Sequence, residues 1–262
     1  HDCGHGAFFR GKQANDWVGR IIGVFTLTPY DFWRQTHAVH HAHSGNLELR
    51  GMGDIDTLTV REYAASSKWQ RLIYRLYRHP LVMFGIGPIY IFFIRHRIPS
   101  GHPLRNRRIW LSVLGTDLAI TVVVLGVAAW VGPGPLLIGY GPVALLGAAV
   151  GVWLFYIQHQ FEDTYWAKAK EWNFTAAALE GCSFYDLPHV MHWFTGHIGL
   201  HHIHHLSSRI PNYRLRECFD QNPELRRVTR LTLRSSLRCA TLALWDEERR
   251  KLVSFRAARA VS

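Results

Sequence analysis

Two long apolar stretches near the middle of the 262-residue sequence place the strongest constraint on its fold. Residues 109–131 contain Asp117 as their only charged residue, and residues 135–157 contain no charged residue. At 1.5 Å per residue, a helix of either length crosses a hydrocarbon core of about 30 Å. Gly132-Pro133-Gly134 between them is typical of a tight turn. The sequence therefore predicts an all-α integral membrane protein with a transmembrane hairpin and a cytoplasmic helical cap.

Charge predicts the orientation of this hairpin. The formal net charge of +11 indicates an anionic partner, either nucleic acid or membrane headgroups. Basic residues flank both open ends of the hairpin, and the turn has none: the flanking residues are Arg95, Arg97, Arg105, Arg107 and Arg108 before it, and Lys168, Lys170 and eleven arginines between Arg214 and Arg259 after it. The positive-inside rule then places both open ends in the cytoplasm. With a membrane anchor upstream, we expect residues 206–262 to form a long basic helical tail that does not bind nucleic acid.

Three further segments are expected at or near the membrane surface. Residues 18–28 are apolar but too short to span, which favours an interfacial or buried segment. Thr59-Val60-Arg61-Glu62 has the form of a capping box, and the helix after it is basic on one face and apolar on the other. Its basic face contains Lys68, Arg71, Arg75 and Arg78, which favours an anionic membrane surface over packing on a soluble core. Residues 80–94 are short and interrupted by glycine and proline, so a re-entrant or interfacial segment is expected.

Three histidine clusters carry the chemistry of the chain. They are His1-Asp2-Cys3-Gly4-His5, His37-Ala38-Val39-His40-His41 and His201-His202-Ile203-His204-His205. The second and third share the spacing HxxHH, which places three rings on one face of an α-helix. A lone histidine is usually a surface or hydrogen-bonded core residue, and we assign that role to His79, His96 and His102. Chance repetition of the HxxHH spacing is improbable, so the three clusters predict a metal site.

The eight histidines of these clusters are too many for one metal ion and about right for two. Imidazole suits iron, zinc, copper and nickel, so the ligand type alone leaves the metal open. The sequence contains no HExxH and no ExxH, which excludes the usual zinc metalloprotease and the carboxylate-bridged di-iron bundle. Four cysteines without a CxxC indicate neither a zinc ribbon nor a disulfide framework, and fit a reducing compartment. If the second and third clusters build one site, an even number of crossings separates them, so residues 80–94 do not cross.

The clusters HDCGH, HAVHH and HHIHH, with a two-span hairpin between the second and third, resemble those of the membrane-bound fatty acid desaturases. Residues 189–200 and 205–213 are similar to the bacterial branch near the Δ12/ω6 acyl-lipid enzymes. The resemblance covers essentially the whole chain as a single domain, 1–262. Family members usually carry one or two spans before the first cluster, and the chain starts with histidine inside a motif. We therefore expect the sequence to be a fragment that lacks an N-terminal region.

The resemblance implies an oxygen-dependent site with two Fe²⁺ ions and O₂ as co-substrate, on the cytoplasmic side of a bacterial inner membrane. The implied metal ligands are His1, His5, His37, His40, His41, His159, His201, His204 and His205. His159 is included because the family draws a further histidine from the end of the last span. His197 is implied as an outer ligand or a group behind the ligands, and His43 and His202 are left unassigned. Candidates to hold the ligand N–H groups are Asp2, Asp54, Asp56, Glu162 and Asp163.

The implied reaction is insertion of a cis double bond into a fatty acyl chain, carried by a membrane lipid or an acyl thioester. Electrons would come from a ferredoxin or a cytochrome b5-type carrier, and the bilayer is itself a partner. Trp33, Phe155, Tyr156, Trp193 and Phe194 are candidates to line an acyl tunnel, although aromatics at helical spacing are more often packing residues. Two alternatives stay open: a related lipid, carotenoid or alkane hydroxylase or ketolase, and a non-catalytic membrane metal-binding protein.

Overall fold

The computed structural model describes residues 1–51, 53–99 and 106–259. Two residues named above, His102 and Arg105, lie outside these ranges. The described chain is mostly helical, and it divides into two compact units. The first comprises His1–His37 and Met83–Trp153, and the second comprises Ala38–Val82 and Leu154–Ser262 in so far as these residues are described.

The first unit is helical throughout its regular structure. Elements are numbered in chain order. Its helices are α1 (Lys12–Phe25), the first part of α2 (Tyr30–His43), the short α5 (Gly87–Ile89) between two π-helical turns (Val82–Ile86 and Tyr90–Ile94), a 3₁₀ turn (Arg95–Arg97), α6 (Arg107–Val131) and most of α7 (Pro133–His159). A small core in this unit joins α2 to α6 through Phe32, Ile109 and Val113.

Helices α6 and α7 confirm the two long apolar helices. Among the described residues, these two helices are long and apolar enough to cross a membrane. Only 6% and 11% of the residues in their apolar 18-residue stretches are buried by the protein. The predicted three-residue turn is wrong in detail. Gly132 alone separates the helices, with a φ of 88° that a side chain would strain, while Pro133 begins α7. Proline is tolerated there because the first helical N–H has no partner within the helix.

Residues 80–94 lie largely within a helical segment that runs from Val82 to Arg97. By length and composition it could form a third span together with α4 (Lys68–Tyr77), or it could be a re-entrant segment. The expectation that it does not cross therefore stays a prediction.

The second unit contains short helices and two small sheets. Its helices besides α4 are α3 (Val60–Ala65), α8 (Phe174–Leu179), α9 (His189–Phe194), α10 (His201–Leu206), α11 (Asn212–Gln221), a 3₁₀ turn (Pro223–Arg226), α12 (Leu233–Cys239) and α13 (Phe255–Arg259). Its strands are β1 (Leu58–Thr59), β2 (Phe184–Asp186), β3 (Arg230–Thr232), β4 (Leu242–Asp246) and β5 (Lys251–Ser254).

These strands correct the all-α prediction. Strand β4 pairs in parallel with β1 and antiparallel with β5, while β2 pairs in parallel with β3. The long basic helical tail expected after residue 206 is also wrong, because three of the strands lie there. In β4, Ala243, Leu244 and Trp245 are buried, so packing against the core outweighs the basic composition around them.

The capping box at Thr59 is confirmed, but the helix that it opens is shorter than expected. The Thr59 hydroxyl accepts from the Glu62 N–H, and the Glu62 carboxylate accepts from the Thr59 N–H at 2.8 Å. Helix α3 ends at Ala65, and a second capping box, Ser67 with Gln70, opens α4. Arg78, predicted on an exposed basic face, is 4% exposed. It donates to the Gln160 carboxamide oxygen at 2.8 Å and to the Leu242 carbonyl at 2.9 Å.

Candidate metal centre

Four of the predicted ligands converge in the second unit. His40 comes from α2, His159 is the last residue of α7, and His201 and His205 lie one turn apart on α10. One ring nitrogen of each lies within 4.8 Å of the others, and the group could hold a metal ion. All four side chains are buried, with exposures from 0% to 6%. We refer to His40, His159, His201 and His205 as the four-histidine cluster.

The nitrogen atoms of this cluster are at distances that fit a shared metal ion. Nε2 of His201 lies 3.0 Å from Nε2 of His159, and Nε2 of His40 lies 3.2 Å from Nε2 of His205. Two nitrogens that each bind one metal ion at about 2.1 Å lie roughly 3.0–3.4 Å apart in octahedral or tetrahedral geometry. The donor set and its spacing therefore fit a transition metal ion.

Two members of the cluster are oriented through their other ring nitrogen. Nδ1 of His40 pairs with the carboxylate of Asp54, which is itself almost fully buried. Nδ1 of His159 lies 3.2 Å from the carbonyl oxygen of Gly181, which can accept a hydrogen bond from the Nδ1–H group. An acceptor at Nδ1 holds the proton there and leaves the Nε2 lone pair for a metal ion. Asp54 is thus placed where the sequence predicted a supporting carboxylate.

Burial favours neutral imidazoles in this cluster. Desolvation, together with the neighbouring imidazoles, holds the pKa of His201 and the pKa of His205 well below their usual range. A neutral imidazole has a lone pair for a metal ion, whereas a protonated one has none. The second unit therefore offers metal ligands that are already in the binding form at neutral pH.

A second pair of histidines lies in the same unit. Nε2 of His204 is 3.1 Å from Nε2 of His41. The His41 ring also stacks on the His205 ring, with centroids 4.1 Å apart and an interplanar angle of 14°. The HxxHH face predicted for residues 201–205 is therefore divided, with two of its histidines in the four-histidine cluster and His204 paired with His41.

The first unit brings together the other three predicted ligands. Nε2 of His1 lies 3.0 Å from Nε2 of His37, and the His5 ring centroid lies 5.0 Å from each of their centroids. Trp33, one turn before His37 on α2, stacks on the His37 ring at 4.6 Å. Nδ1 of His1 pairs with the Asp2 carboxylate at 3.2 Å. We refer to His1, His5 and His37 as the three-histidine group.

The spacing of histidines along α10 explains why His201 and His205 lie in the four-histidine cluster and His202 does not. His201 and His205 are four residues apart and share a face, whereas His202 lies about 100° around the helix. His202 is fully buried against Phe184 and Phe219, with ring centroids 6.3 and 6.1 Å away. Burial lowers its pKa to about 4. His202 therefore packs as a neutral ring in an apolar cluster. This packing gives a role to a histidine that the sequence left unassigned.

Several other predicted residues lie elsewhere. Glu162 and Asp163 form ion pairs with Lys251, at 3.4 and 3.0 Å. The backbone carbonyl of Asp56 accepts from Arg78 at 3.2 Å, so this residue supports the loop that carries Asp54 rather than a histidine ring. These placements differ from the prediction because adjacency in sequence to a ligand does not determine where a loop carboxylate points.

His197 stacks on His192 rather than lying in the four-histidine cluster. Their ring centroids are 5.8 Å apart, with an interplanar angle of 13°. His197 also has a φ of 55°, which is unusual for a residue with a side chain. The tunnel candidates Trp193 and Phe194 next to them are 69% and 76% exposed on α9.

One neighbour of the four-histidine cluster, Cys182, was not predicted from the sequence. The Cys182 Sγ lies 3.7 Å from Nδ1 of His159, and burial raises the pKa of this thiol well above its usual value. A cavity of about 10 Å³, room for roughly one water molecule, borders His159, Asp54, Phe155 and other residues. The ring of Phe155, a predicted tunnel residue, lies 5.1 Å from that of His40. No local motif marks Cys182, since it is fixed by the fold after α8.

Two apolar helices long enough to cross a membrane, together with a buried histidine cluster that could hold a metal ion, are the features expected of a helical membrane metalloprotein with imidazole ligands. The sequence model of the fatty acid desaturase family matches residues 1–235. A fatty acid desaturase of Bacillus subtilis (strain 168) is 44% identical over 257 residues, covering 98% of this chain and 72% of that protein.

Two proteins of a Synechocystis species are more distant relatives. An sn-1 acyl-lipid omega-3 desaturase (ferredoxin) is 31% identical, over 82% of this chain and 60% of its own length. An sn-1 oleoyl-lipid 12-desaturase is 30% identical, over 82% of this chain and 61% of its own length. The chain thus spans about 60% of these two relatives. It belongs to the fatty acid desaturase family, whose named members are oxidoreductases of lipid metabolism.

Proposed function

We propose that this protein inserts a cis double bond into a fatty acyl chain by an oxygen-dependent reaction in lipid biosynthesis. The observation that carries the proposal is the four-histidine cluster at the end of α7, a helix apolar enough to cross a membrane. The cluster places metal-binding nitrogens next to a segment that would lie among acyl chains. Membership of the desaturase family adds the reaction class.

The proposed cofactor is a pair of Fe²⁺ ions. The four-histidine cluster fits one ion by donor type, nitrogen spacing and protonation state, as described above. The other five box histidines are proposed as ligands of the second ion on the family resemblance alone: His1, His5, His37, His41 and His204. The two ions would supply reduction of O₂ and thereby the oxidising power to remove hydrogen from an unactivated methylene, which no side chain can do.

The chain's own residues would position and protect this chemistry. Asp54 and the Gly181 carbonyl hold the protons of His40 and His159 on Nδ1, so that Nε2 of each ring stays available. The near-complete burial of the cluster keeps bulk water away from a strongly oxidising centre. Phe155, beside His40 and His159, gives the cluster an apolar wall on that side.

We propose that α6 and α7 form a transmembrane hairpin with both open ends in the cytoplasm of a bacterial inner membrane. The positive-inside rule supports this orientation, since basic residues flank both ends and the Gly132 turn has none. The active site and its helical cap then lie on the cytoplasmic side. The 1–262 chain would act as one desaturase domain, in which Val82–Arg97 does not cross.

The proposed substrate is an acyl chain on a membrane lipid or an acyl thioester, and the proposed electron donor is a ferredoxin or a cytochrome b5-type protein. Support comes from the relatives: one Synechocystis protein is named for acyl-lipid substrates and for ferredoxin. Reduction of O₂ to two water molecules takes four electrons. The substrate supplies two of them when it loses two hydrogens, and the electron donor supplies the other two.

Product analysis tests the proposed reaction. The intact protein is expressed in a host that makes no polyunsaturated lipids, and the fatty acids are profiled by mass spectrometry. We expect a new double bond that requires O₂ and is missing from a His201→Ala variant. Hydroxylated or keto products without new double bonds would instead identify the protein as a hydroxylase or ketolase. No new product with metal still bound would support a non-catalytic metal-binding protein.

A further inference from the structure

In the first unit, helix α1 presents an exposed apolar face that the proposed reaction does not use. Trp17, Ile21, Ile22 and Phe25 are 63%, 56%, 49% and 61% exposed. Their spacing of four, one and three residues places them along one side of α1. Residues 21–29 contain no charged side chain. In water, such a face would be a costly exposed patch.

The opposite face of α1 is packed closely against the start of α2. A Cβ at Gly19 would lie 2.2 Å from the Tyr30 ring, and a Cβ at Gly23 would lie 2.5 Å from the Thr28 carbonyl oxygen. Gly19-Arg20-Ile21-Ile22-Gly23 is therefore a GxxxG motif whose glycines allow the two chain segments to approach. Small residues at this spacing are typical of helix packing inside membranes, where close contact replaces the hydrophobic effect.

Contacts with α6 and with the 3₁₀ turn Arg95–Arg97 indicate how deep the connection between α1 and α2 lies along the proposed spans. The Asp31 N–H donates to the Ser112 hydroxyl at 3.0 Å, five residues into α6. Further along, Arg97 binds both the Leu27 carbonyl and the Asp117 carboxylate. Asp117 is ten residues from the start of α6, which corresponds to about 15 Å.

The other span gives the same level from its opposite end. The Tyr140 hydroxyl donates to the Phe25 carbonyl at 2.8 Å. Tyr140 is seven residues from the start of α7, about 10 Å from the turn at Gly132. If α6 and α7 span the bilayer, these contacts place the connection between α1 and α2 near the middle of a hydrocarbon core of about 30 Å.

The backbone at this tip meets the condition that a lipid environment imposes. Thr26, Leu27 and Thr28 donate their N–H groups to Ile22, Val24 and Gly23 at 2.9, 3.3 and 2.7 Å. The carbonyls of Phe25 and Leu27 accept from Tyr140 and Arg97, and the Thr26 carbonyl accepts from the Thr28 hydroxyl at 2.9 Å. Backbone polar groups in hydrocarbon must be satisfied by protein, because no water is present.

The charged residues of α1 and α2 form ion pairs at the end away from the connection between the two helices. Asp31, 7% exposed, lies between Arg20 and Arg108, with contacts of 3.2 and 2.7 Å. Asp16 binds Lys12 at 2.7 Å and Arg34 at 2.9 Å. The charged residues of α1 and α2 thus lie near the arginine-rich start of α6, where headgroups would be. The tip has no charged residue of its own, and the Arg97 side chain that caps its Leu27 carbonyl is paired with Asp117.

We propose that α1 and the first turns of α2 form a re-entrant hairpin that enters the bilayer from the side of Arg107 and Arg108 and returns to the same side. The occupant of its Trp17–Phe25 face is the acyl chains of the bilayer. Helix α1 contacts α6, on which Leu118 and Val122 are likewise 66% and 63% exposed. The inference goes beyond the proposed reaction and depends only on α6 and α7 being spans.

Spin-label depth measurements test the hairpin. A spin label is attached at Ile22→Cys in the full chain in phosphatidylcholine–phosphatidylglycerol liposomes, and the signal of the chain without the added cysteine is subtracted. Collision rates are measured with O₂, which concentrates in hydrocarbon, and with a water-soluble nickel chelate. Gln13→Cys, exposed on α1 near Lys12, is the interfacial control, and Val122→Cys on α6 is the span control. Ile21→Cys serves as a second probe of the same face if Ile22→Cys does not fold.

We expect the O₂-to-nickel collision ratio at Ile22 to equal that at Val122 and to exceed that at Gln13 several-fold. A high nickel rate at Ile22 would place the face in water and overturn the hairpin. Low rates for both reagents would place the face against protein, such as a second copy of the chain, and would also overturn it. A low ratio at Val122 itself would instead refute the membrane spans, a failure separate from that of the proposed reaction.

Discussion

The four-histidine cluster of the second unit and the three-histidine group of the first unit use the same donor in different surroundings. The four side chains of the cluster are 0–6% exposed, whereas the His1 side chain is 33% exposed. In the cluster, a buried carboxylate and a buried carbonyl hold two of the rings. In the group, His1 has the Asp2 carboxylate beside it and His37 has the Trp33 ring. The comparison teaches that the same ligand type can be preorganised to different degrees.

The largest expected effect follows from removing a ligand of the buried cluster. His201→Ala should abolish desaturation and lower the iron content of the purified protein, because three imidazoles in a buried site cannot replace the fourth. Fatty acid profiling and elemental analysis measure the two outcomes. His202→Leu, next to it on α10 but packed among Phe184 and Phe219, is the matched control and should keep both. Equal losses from the two variants would undo the ligand assignment.

Removing a ligand of the three-histidine group should also abolish the reaction but leave more metal behind. In His37→Ala we expect about half of the wild-type iron to remain, since the four-histidine cluster is intact in the second unit. Elemental analysis after gel filtration measures the remaining iron. Complete loss of iron from this variant would mean that the cluster does not bind metal independently.

A smaller effect is expected from the carboxylates behind the ligands. Asp54→Asn removes a buried charge from His40 and should weaken iron binding by about 10–100-fold, the usual range for such partners. Asp2→Asn should have a smaller effect, because water can solvate the exposed His1 ring. Competition with an iron chelator measures both affinities, with Asp56→Asn as the control. A larger effect at Asp2 than at Asp54 would reverse the comparison.

The smallest expected effect concerns the ring that stacks on His37. Trp33→Leu should weaken iron binding only a few-fold, since an aromatic pair contributes about 0.5–1.5 kcal/mol beyond its buried area. The same chelator competition measures this change. Retention of wild-type affinity would show that Trp33 packs without orienting the ligand, whereas complete loss of iron would show that it supports the local fold.

The sequence was sufficient for features that depend on local pattern. The long apolar runs predicted α6 and α7 because the number of consecutive apolar residues needed to cross a bilayer can be counted in the sequence. The capping box at Thr59 was predicted because its partners lie three residues apart. The four-histidine cluster contains only residues that the histidine pattern and the family resemblance had named, including His159.

Features that depend on long-range packing were not predictable in the same way. The parallel pairing of β1 with β4 joins residues more than 180 positions apart, and no short motif encodes it. Arg78 reads as an exposed basic residue on an amphipathic helix, but its hydrogen bonds to Gln160 and Leu242 explain its burial. Likewise, only the fold separates Asp54, which contacts a ring, from Glu162, which pairs with Lys251.

The iron content of the purified wild-type protein tests the central claim most directly. Elemental analysis of the intact protein, purified in detergent after expression with added iron, gives the number of metal ions per chain. Two irons per chain, together with O₂ uptake when a reductant and lipid are supplied, is the predicted result. Zinc in place of iron, with no O₂ uptake, would contradict the account.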